Sequence, residues 1–154
     1  MDDEAHLFDR ATALPPCDFR VAEIHEYWRS LSGKAGGTLP GRQHFDPSHI
    51  ARLLPWVWLL DIGRQPLRFR YRLIGTHVAA QHGRDSTGKT VRELYATADP
   101  VIFDWSMTVL RNVVTHRRPV RASNRLRMVD RDYTTSDQLH LPLSEDGETV
   151  SMIL

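Results

Sequence analysis

Between residues 56 and 73 the chain changes from one apolar pattern to another, and this change limits the fold more than any other stretch. Trp56, Val57, Trp58, Leu59, Leu60 and Ile62 make a nearly continuous apolar run. It is too short for a helix and suits a strand covered on both faces. Residues 63–66 supply turn chemistry. Leu67, Phe69, Tyr71 and Leu73 then alternate with Arg68, Arg70 and Arg72. A period of two places one set against a core and the other in water. Two such runs joined by a short turn predict an antiparallel hairpin. Nucleotide-binding folds built from parallel strands need long crossovers instead, and there is no room for one here.

The flanking sequence places helices around this hairpin. Residues 1–17, acidic at the start and ending near Pro15 and Pro16, read as a mobile N-terminal arm. Asp18 is placed to cap a helix carrying Val21, Ile24, Trp28 and Leu31 at helical spacing, ending before Gly33. Asp46 and Pro47 open a short helix that Pro55 closes. Thr76 caps another, ending at Gly83, and Thr90 with Glu93 forms a capping-box pattern. Asp99 and Pro100 start a longer helix with Ile102, Trp105, Val109 and Val113 on one face. Beyond Pro119 the pattern is strand-like again: Leu126 and Met128 between arginines, then Leu139, Leu141 and Leu143, and a last strand over residues 150–154. Two strands, a helical block and three strands make an α+β chain.

Length and composition agree with one domain. The chain has 154 residues, 25% of them charged, and a net charge of +1. No apolar run approaches the ~20 residues needed to cross a bilayer, and the acidic start does not resemble a signal peptide. Cys17 is the single cysteine and has no internal disulfide partner. A cytoplasmic protein without membrane insertion is expected.

Several constellations carry candidate chemistry. Gly83 to Thr90 matches the phosphate-loop pattern G-x-x-x-x-G-K-[ST], with Lys89 as the phosphate-reaching residue. Its context argues against that use, because a helix rather than a strand precedes it. A nucleotide-hydrolysing enzyme is therefore the second reading. His44, Asp46 and His49 could suggest a metal, but Asp46 is better placed as a helix cap, so no metal ligand is expected. No nucleophile elbow or acid–base pair is present, and no enzymatic activity is expected. Arg68, Arg70 and Arg72, with Arg125 and Arg127, could form a basic sheet face for anions or nucleic acid. Cover by the acidic arm or by Glu23 or Glu26 is the preferred account of that face. Phe69, Tyr71, His77, Trp105, Met128 and Leu141 are the candidate lining of an apolar interior pocket. Val21, Ile24, Trp28 and Leu31 are expected to pack on the sheet or on a second copy of the chain.

The order of elements resembles a PAS domain. The resemblance is carried by His25-Glu26-Tyr27-Trp28, Phe45-Asp46-Pro47, Leu53-Leu54-Pro55 leading to Leu60-Asp61, and Gly83-Arg84-Asp85-Ser86-Thr87-Gly88-Lys89. Leu141-Pro142-Leu143-Ser144 before Asp146-Gly147 adds to it, and Phe69-Arg70-Tyr71-Arg72-Leu73-Ile74-Gly75-Thr76 is its most specific string. In this combination the chain is similar to short bacterial PAS-like proteins that are little more than the domain. The resemblance covers about residue 24 to the end. It implies a five-stranded antiparallel sheet crossed by short helices and one longer helix. Such proteins continue past the last strand, so residues 18–154 are expected to be one domain cut short there. The implied role is a sensory or adaptor domain in signal transduction, acting through a protein partner or a homodimer and through a small-molecule ligand. Some PAS domains hold haem through a histidine, and haem at His77 or a flavin is the cofactor the resemblance would allow; the sequence requires none.

Overall fold

The computed structural model describes residues 5–7, 18–128 and 131–154, with side chains for residues 18–123 and 136–154. Strand β1 (Ala5–Leu7) falls inside the stretch read as an arm. Helix α1 (Phe19–Lys34), a 3₁₀ turn at Arg42–His44 and a 3₁₀ helix, Pro47–Trp56, come next. Strands β2 (Trp58–Gly63) and β3 (Arg68–Ile74) form the expected antiparallel hairpin. Helices α2 (Thr76–His82), α3 (Val91–Tyr95) and α4 (Pro100–His116) cross over. The chain returns through β4 (Val120–Met128), β5 (Arg131–His140), β6 (Pro142–Leu143) and β7 (Met152–Ile153).

Every strand pairing among the described residues is antiparallel. The hydrogen-bonded orders are β3-β2-β7-β6 and β1-β4-β5. Leu141, the one residue between β5 and β6, joins these two sets. Its N–H donates to the carbonyl of Leu154 at 2.8 Å, and its carbonyl accepts from Leu154 at 2.9 Å. The strand count differs from the five read in sequence because the return strand divides at Leu141 and because β1 pairs with β4.

Local chemistry accounts for most helix starts. Asp18, Asp46 and Asp99 accept backbone N–H groups of Arg20, Ser48 and Ile102 through their carboxylates. Thr90 and Glu93 satisfy each other's backbone N–H reciprocally, as a capping box requires. Three boundaries differ from the sequence reading. Helix α1 runs through Gly33 to Lys34. Gly75, not Thr76, is the residue before α2, and it makes no side-chain cap. Trp56 ends the 3₁₀ helix instead of starting the strand, because the N–H of Val57 still bonds back to Leu54 at 3.2 Å.

The centre of the sheet is buried on both faces, while the edge strand β3 exposes its arginines. Leu59, Leu141, Leu143, Met152 and Leu154 meet Trp28 of α1 on one side. Leu60, Phe69 and Ile153 meet Met107, Leu110 and Val113 of α4 on the other. Successive residues of β2 thus serve opposite cores, which is why its sequence is apolar throughout. The Trp28 indole also donates to the carbonyl of Pro142 at 2.9 Å, fixing α1 on the sheet. The first-helix stripe therefore packs on this chain's own sheet at Trp28, while Leu31 is fully buried and Val21 nearly so.

The alternation in β3 does not run to its end. Leu60 pairs with Tyr71 but Leu59 pairs with Leu73, so Arg72 is an extra residue in a bulge. Past the bulge, Ile74 takes the inward place and Leu73 is left 46% exposed.

Two substitutions test this packing. Trp28→Ala is expected to lower unfolding free energy by about 3–5 kcal/mol, measured in urea at two protein concentrations. A loss that vanished on dilution would place Trp28 between copies instead. A Cβ on Gly75 would strike the carbonyls of Leu54 and Pro55 at the end of the 3₁₀ helix. Gly75→Ala is therefore expected to cost about 1–3 kcal/mol, and an unchanged urea midpoint would refute the close approach.

Candidate functional site: a chamber closed by His140

Along β5 the period of two separates two environments. Leu139 and Leu141 face the α1 side, whereas Gln138 and His140 face helices α2 to α4. His140 is 3% exposed. Among the described residues, neither of its ring nitrogens has a hydrogen-bond partner. Its ring lies 5.0 Å from that of Trp58. A buried polar group without a partner costs about 1–3 kcal/mol and calls for a specific explanation. Burial holds its pKa at about 3, so the imidazole is neutral at physiological pH.

His140 closes a chamber of about 60 Å³ between the sheet and the helices. Trp58, Leu60, Tyr71 and Ile74 of the hairpin form its floor, and Ile102, Trp105 and Leu110 of α4 its roof. A polar chain runs along one side. The Tyr95 hydroxyl is hydrogen bonded to His82 Nδ1 at 3.0 Å. The Tyr71 hydroxyl lies beside that of Tyr95, and burial, then Tyr95, pushes its pKa upward. Burial, then the nearby Arg84 guanidinium, lowers the pKa of His82. Both phenols and both imidazoles are therefore uncharged near neutral pH. No carboxylate lines the chamber among the described residues, and its cation, Arg84, is exposed.

A larger cleft of about 310 Å³ adjoins it, between α1, the 3₁₀ helix, α2 and the α1 side of β5. Val21, Ile24, Leu53, Leu139, Leu141 and Leu154 supply apolar surface there. Trp58, Val78, His82 and Gln138 line both spaces and form their common boundary. At the rim, Arg20 is held by the Asp18 carboxylate at 2.6 Å and lies 4.5 Å from the centroid of the Trp56 ring. That bond draws the pKa of Asp18 down to about 2. Phe19 and Trp56 beside it are exposed.

A family model of the PAS domain matches residues 19–154. The chain belongs to the PAS domain family. No curated protein and no solved structure matches it at a significant level.

Within this PAS domain the six pocket candidates separate. Tyr71 and Trp105 line the chamber. His77 and Leu141 line the outer cleft, where His77 lies 5.1 Å from Trp56, ring to ring. Phe69 is buried in the core behind the chamber, and the Met128 side chain lies outside the described residues. Singly, His140, Gln138 and Tyr95 carry no signal of a site in the sequence, and His82, five residues from His77, is placed by helical spacing on another face. Leu139, Leu141 and Leu143 read as the inward face, whereas the sheet is covered on both sides and the leucines serve α1. A polar pair, Gln138 and His140, at the alternate positions of such a strand is the signal that could have found the site. A cavity of about 150 Å³ admits benzene, so the chamber of about 60 Å³ does not hold a haem or flavin ring system, and His77, the expected haem ligand, lines the outer cleft instead.

The residues of the other constellations make contacts within this PAS domain. Between Gly83 and Thr90, the N–H groups of Thr87, Gly88, Lys89 and Thr90 donate to Asp85, Tyr71, Ser86 and Glu93. The amides a phosphate loop offers to its anion are thus engaged within the chain. Asp46 caps the 3₁₀ helix, and Nδ1 of His44 accepts from Gly41. Among the described residues no cluster of metal-ligating side chains occurs. Of the arginine face, Arg72 is paired with Asp61 at 3.0 Å and Arg70 donates to the carbonyl of Gly88. Glu23, one of the expected acidic covers, pairs with Arg52, and Glu26 lies 3.7 Å from Arg29; the acidic residues of the arm lie outside the described residues. The side chains of Arg125 and Arg127 lie outside the described residues. No described helix is long and apolar enough to cross a membrane.

The sign of the His140 shift makes a prediction. Its folded pKa is about 3 against an ordinary 6.5, so the unfolded chain binds a proton in that interval that the folded chain does not. The stability from keeping the ring neutral is complete above pH 6.5 and is lost as pH falls toward 3. Wild-type protein is expected to weaken between pH 6.5 and 4.5, above the carboxylate range, and His140→Leu to weaken less. At pH 7.5 His140→Leu is expected to be as stable as wild type or more so. A loss above about 2 kcal/mol would mean that the ring has a partner that stabilises the fold.

Proposed function

We propose that this PAS domain is a sensory or adaptor module of bacterial signal transduction, cytoplasmic and non-enzymatic. Small-molecule occupancy of the chamber is its input and contact with a partner protein, or a second copy, is its output. The observation that carries the reading is His140, a buried, neutral imidazole without a partner among the described residues, facing a chamber whose walls combine aromatic and aliphatic side chains with a few polar ones. Sites that recognise small molecules combine such apolar walls with a few polar groups.

The route outward is short. Strand β5 forms one wall of the chamber and continues through Leu141 into the surface on which Trp28 docks. A shift of β5 on ligand binding is transmitted to α1, whose first turn presents Phe19 and Arg20 beside Trp56. Exposed aromatic groups flanking an arginine are the kind of side chains that anchor protein contacts.

Native mass spectrometry of the protein purified from its own cells tests the reading. A stoichiometric small molecule, absent from His140→Leu, or a defined complex with a protein weakened by Phe19→Glu, is the expected result. A bare chain that hydrolyses nucleotide, and stops doing so as Lys89→Ala, would overturn it in favour of an enzyme.

A further inference from the structure

The chamber and the cleft differ in what they offer, and they share a boundary. The chamber is small. An apolar cavity of about 150 Å³ admits the six heavy atoms of benzene, so a chamber of about 60 Å³ takes a group of two or three. It also holds polar side chains, among them His140, whose ring nitrogens have no partner among the described residues. His140 offers one donor and one acceptor in its neutral form, whichever nitrogen carries the proton. Gln138 and Ser106 add further hydrogen-bonding groups to the lining. The cleft is about five times larger; Val21, Ile24, Leu53, Leu139, Leu141 and Leu154 give it an aliphatic part, and Asp18, Arg20 and Asp137 a charged one. Trp58, Val78, His82 and Gln138 border both, so one wall of side chains is common to the chamber and the cleft.

We infer that the two spaces form one site for an uncharged amphipathic molecule, with a primary-amide-type head on His140 and an aliphatic tail in the cleft. This rests on the sensory reading above and adds the class of ligand. The head must both donate and accept, since His140 presents both functions and has neither satisfied. It must be uncharged, since a buried ion without a counter-ion is costly. A cationic head would find no carboxylate among the described lining side chains of the chamber. An anionic head seated on His140 would leave Arg84, the cation of the lining, at the exposed rim. A planar group of three heavy atoms, carbon, oxygen and nitrogen, meets the size limit and both hydrogen-bonding demands. The tail meets Val21, Ile24, Leu139 and Leu141, and each methylene lodged there raises affinity about fourfold.

Calorimetric titration of the full chain with octanamide, octanoate, octylammonium and acetamide separates head from tail. Octanamide is expected to bind at least tenfold more tightly than either charged analogue of the same length, and at least a hundredfold more tightly than acetamide. His140→Leu is expected to lose at least tenfold for octanamide while keeping its fold by circular dichroism. Val78→Trp, which fills the boundary, is expected to abolish octanamide binding and serves if His140→Leu does not fold. Equal or tighter binding of octanoate would overturn the uncharged head and make Arg84 its partner. Equal binding of acetamide would overturn the tail. If none of the four binds while native mass spectrometry still shows a bound molecule, the ligand class is wrong and the sensory reading stands. If none binds and the native mass is bare with no partner complex, both fail.

Discussion

The two backbone hydrogen bonds between Leu141 and Leu154 hold the architecture together. Without them the β2–β3 hairpin with β7, and the β4–β5 pair, would be separate small sheets, each with an open edge and one covered face. Short isolated ladders of that kind are marginal in water. Joined through Leu141, they present two continuous faces, and each face acquires its own cover: α1 on one and α4 with its neighbours on the other. The Trp28 indole bond to Pro142 lies next to this junction, so the anchoring of α1 and the continuity of the sheet depend on the same few residues.

The position of His140 follows from that geometry. It immediately precedes Leu141, and the pleat sends adjacent side chains to opposite faces. With Leu141 committed to the α1 core, His140 is committed to the chamber. Its ring cannot turn toward water without breaking the pairing of β5 with β4 at Val120. The fold thus holds a polar group in a place that disfavours its charged form and leaves its nitrogens without partners. This is a cost in stability at a position where an aliphatic residue would fit the core better, and conflicts of that kind gather at functional sites.

Much of the fold was legible because its signals are local. Asp18, Asp46, Asp99 and the Thr90–Glu93 pair announce helix starts by chemistry that acts within three residues, and each does so in the structure. The hairpin was legible from its period. The phosphate-loop pattern was legible as a turn, and the structure adds the reason: its amides are occupied by Asp85, Tyr71, Ser86 and Glu93. The errors arose where a distant element changes the meaning of a residue. The bulge at Arg72 turned Leu73 outward and brought Ile74 in, although the sequence alternates without a break.

The sequence by itself determined the order of elements, the antiparallel hairpin, the helix caps and membership of the PAS domain family. Each follows from neighbours along the chain, through side-chain period, capping hydrogen bonds or a string of residues. Only the tertiary structure decided which face of β5 meets which core. That choice depends on α1 lying across the sheet, more than a hundred residues away from Pro142 in the chain. Leucines at alternate positions look the same whether they face a pocket or a helix. The cover on the second face assigned them to α1, and left His140 and Gln138 to the chamber.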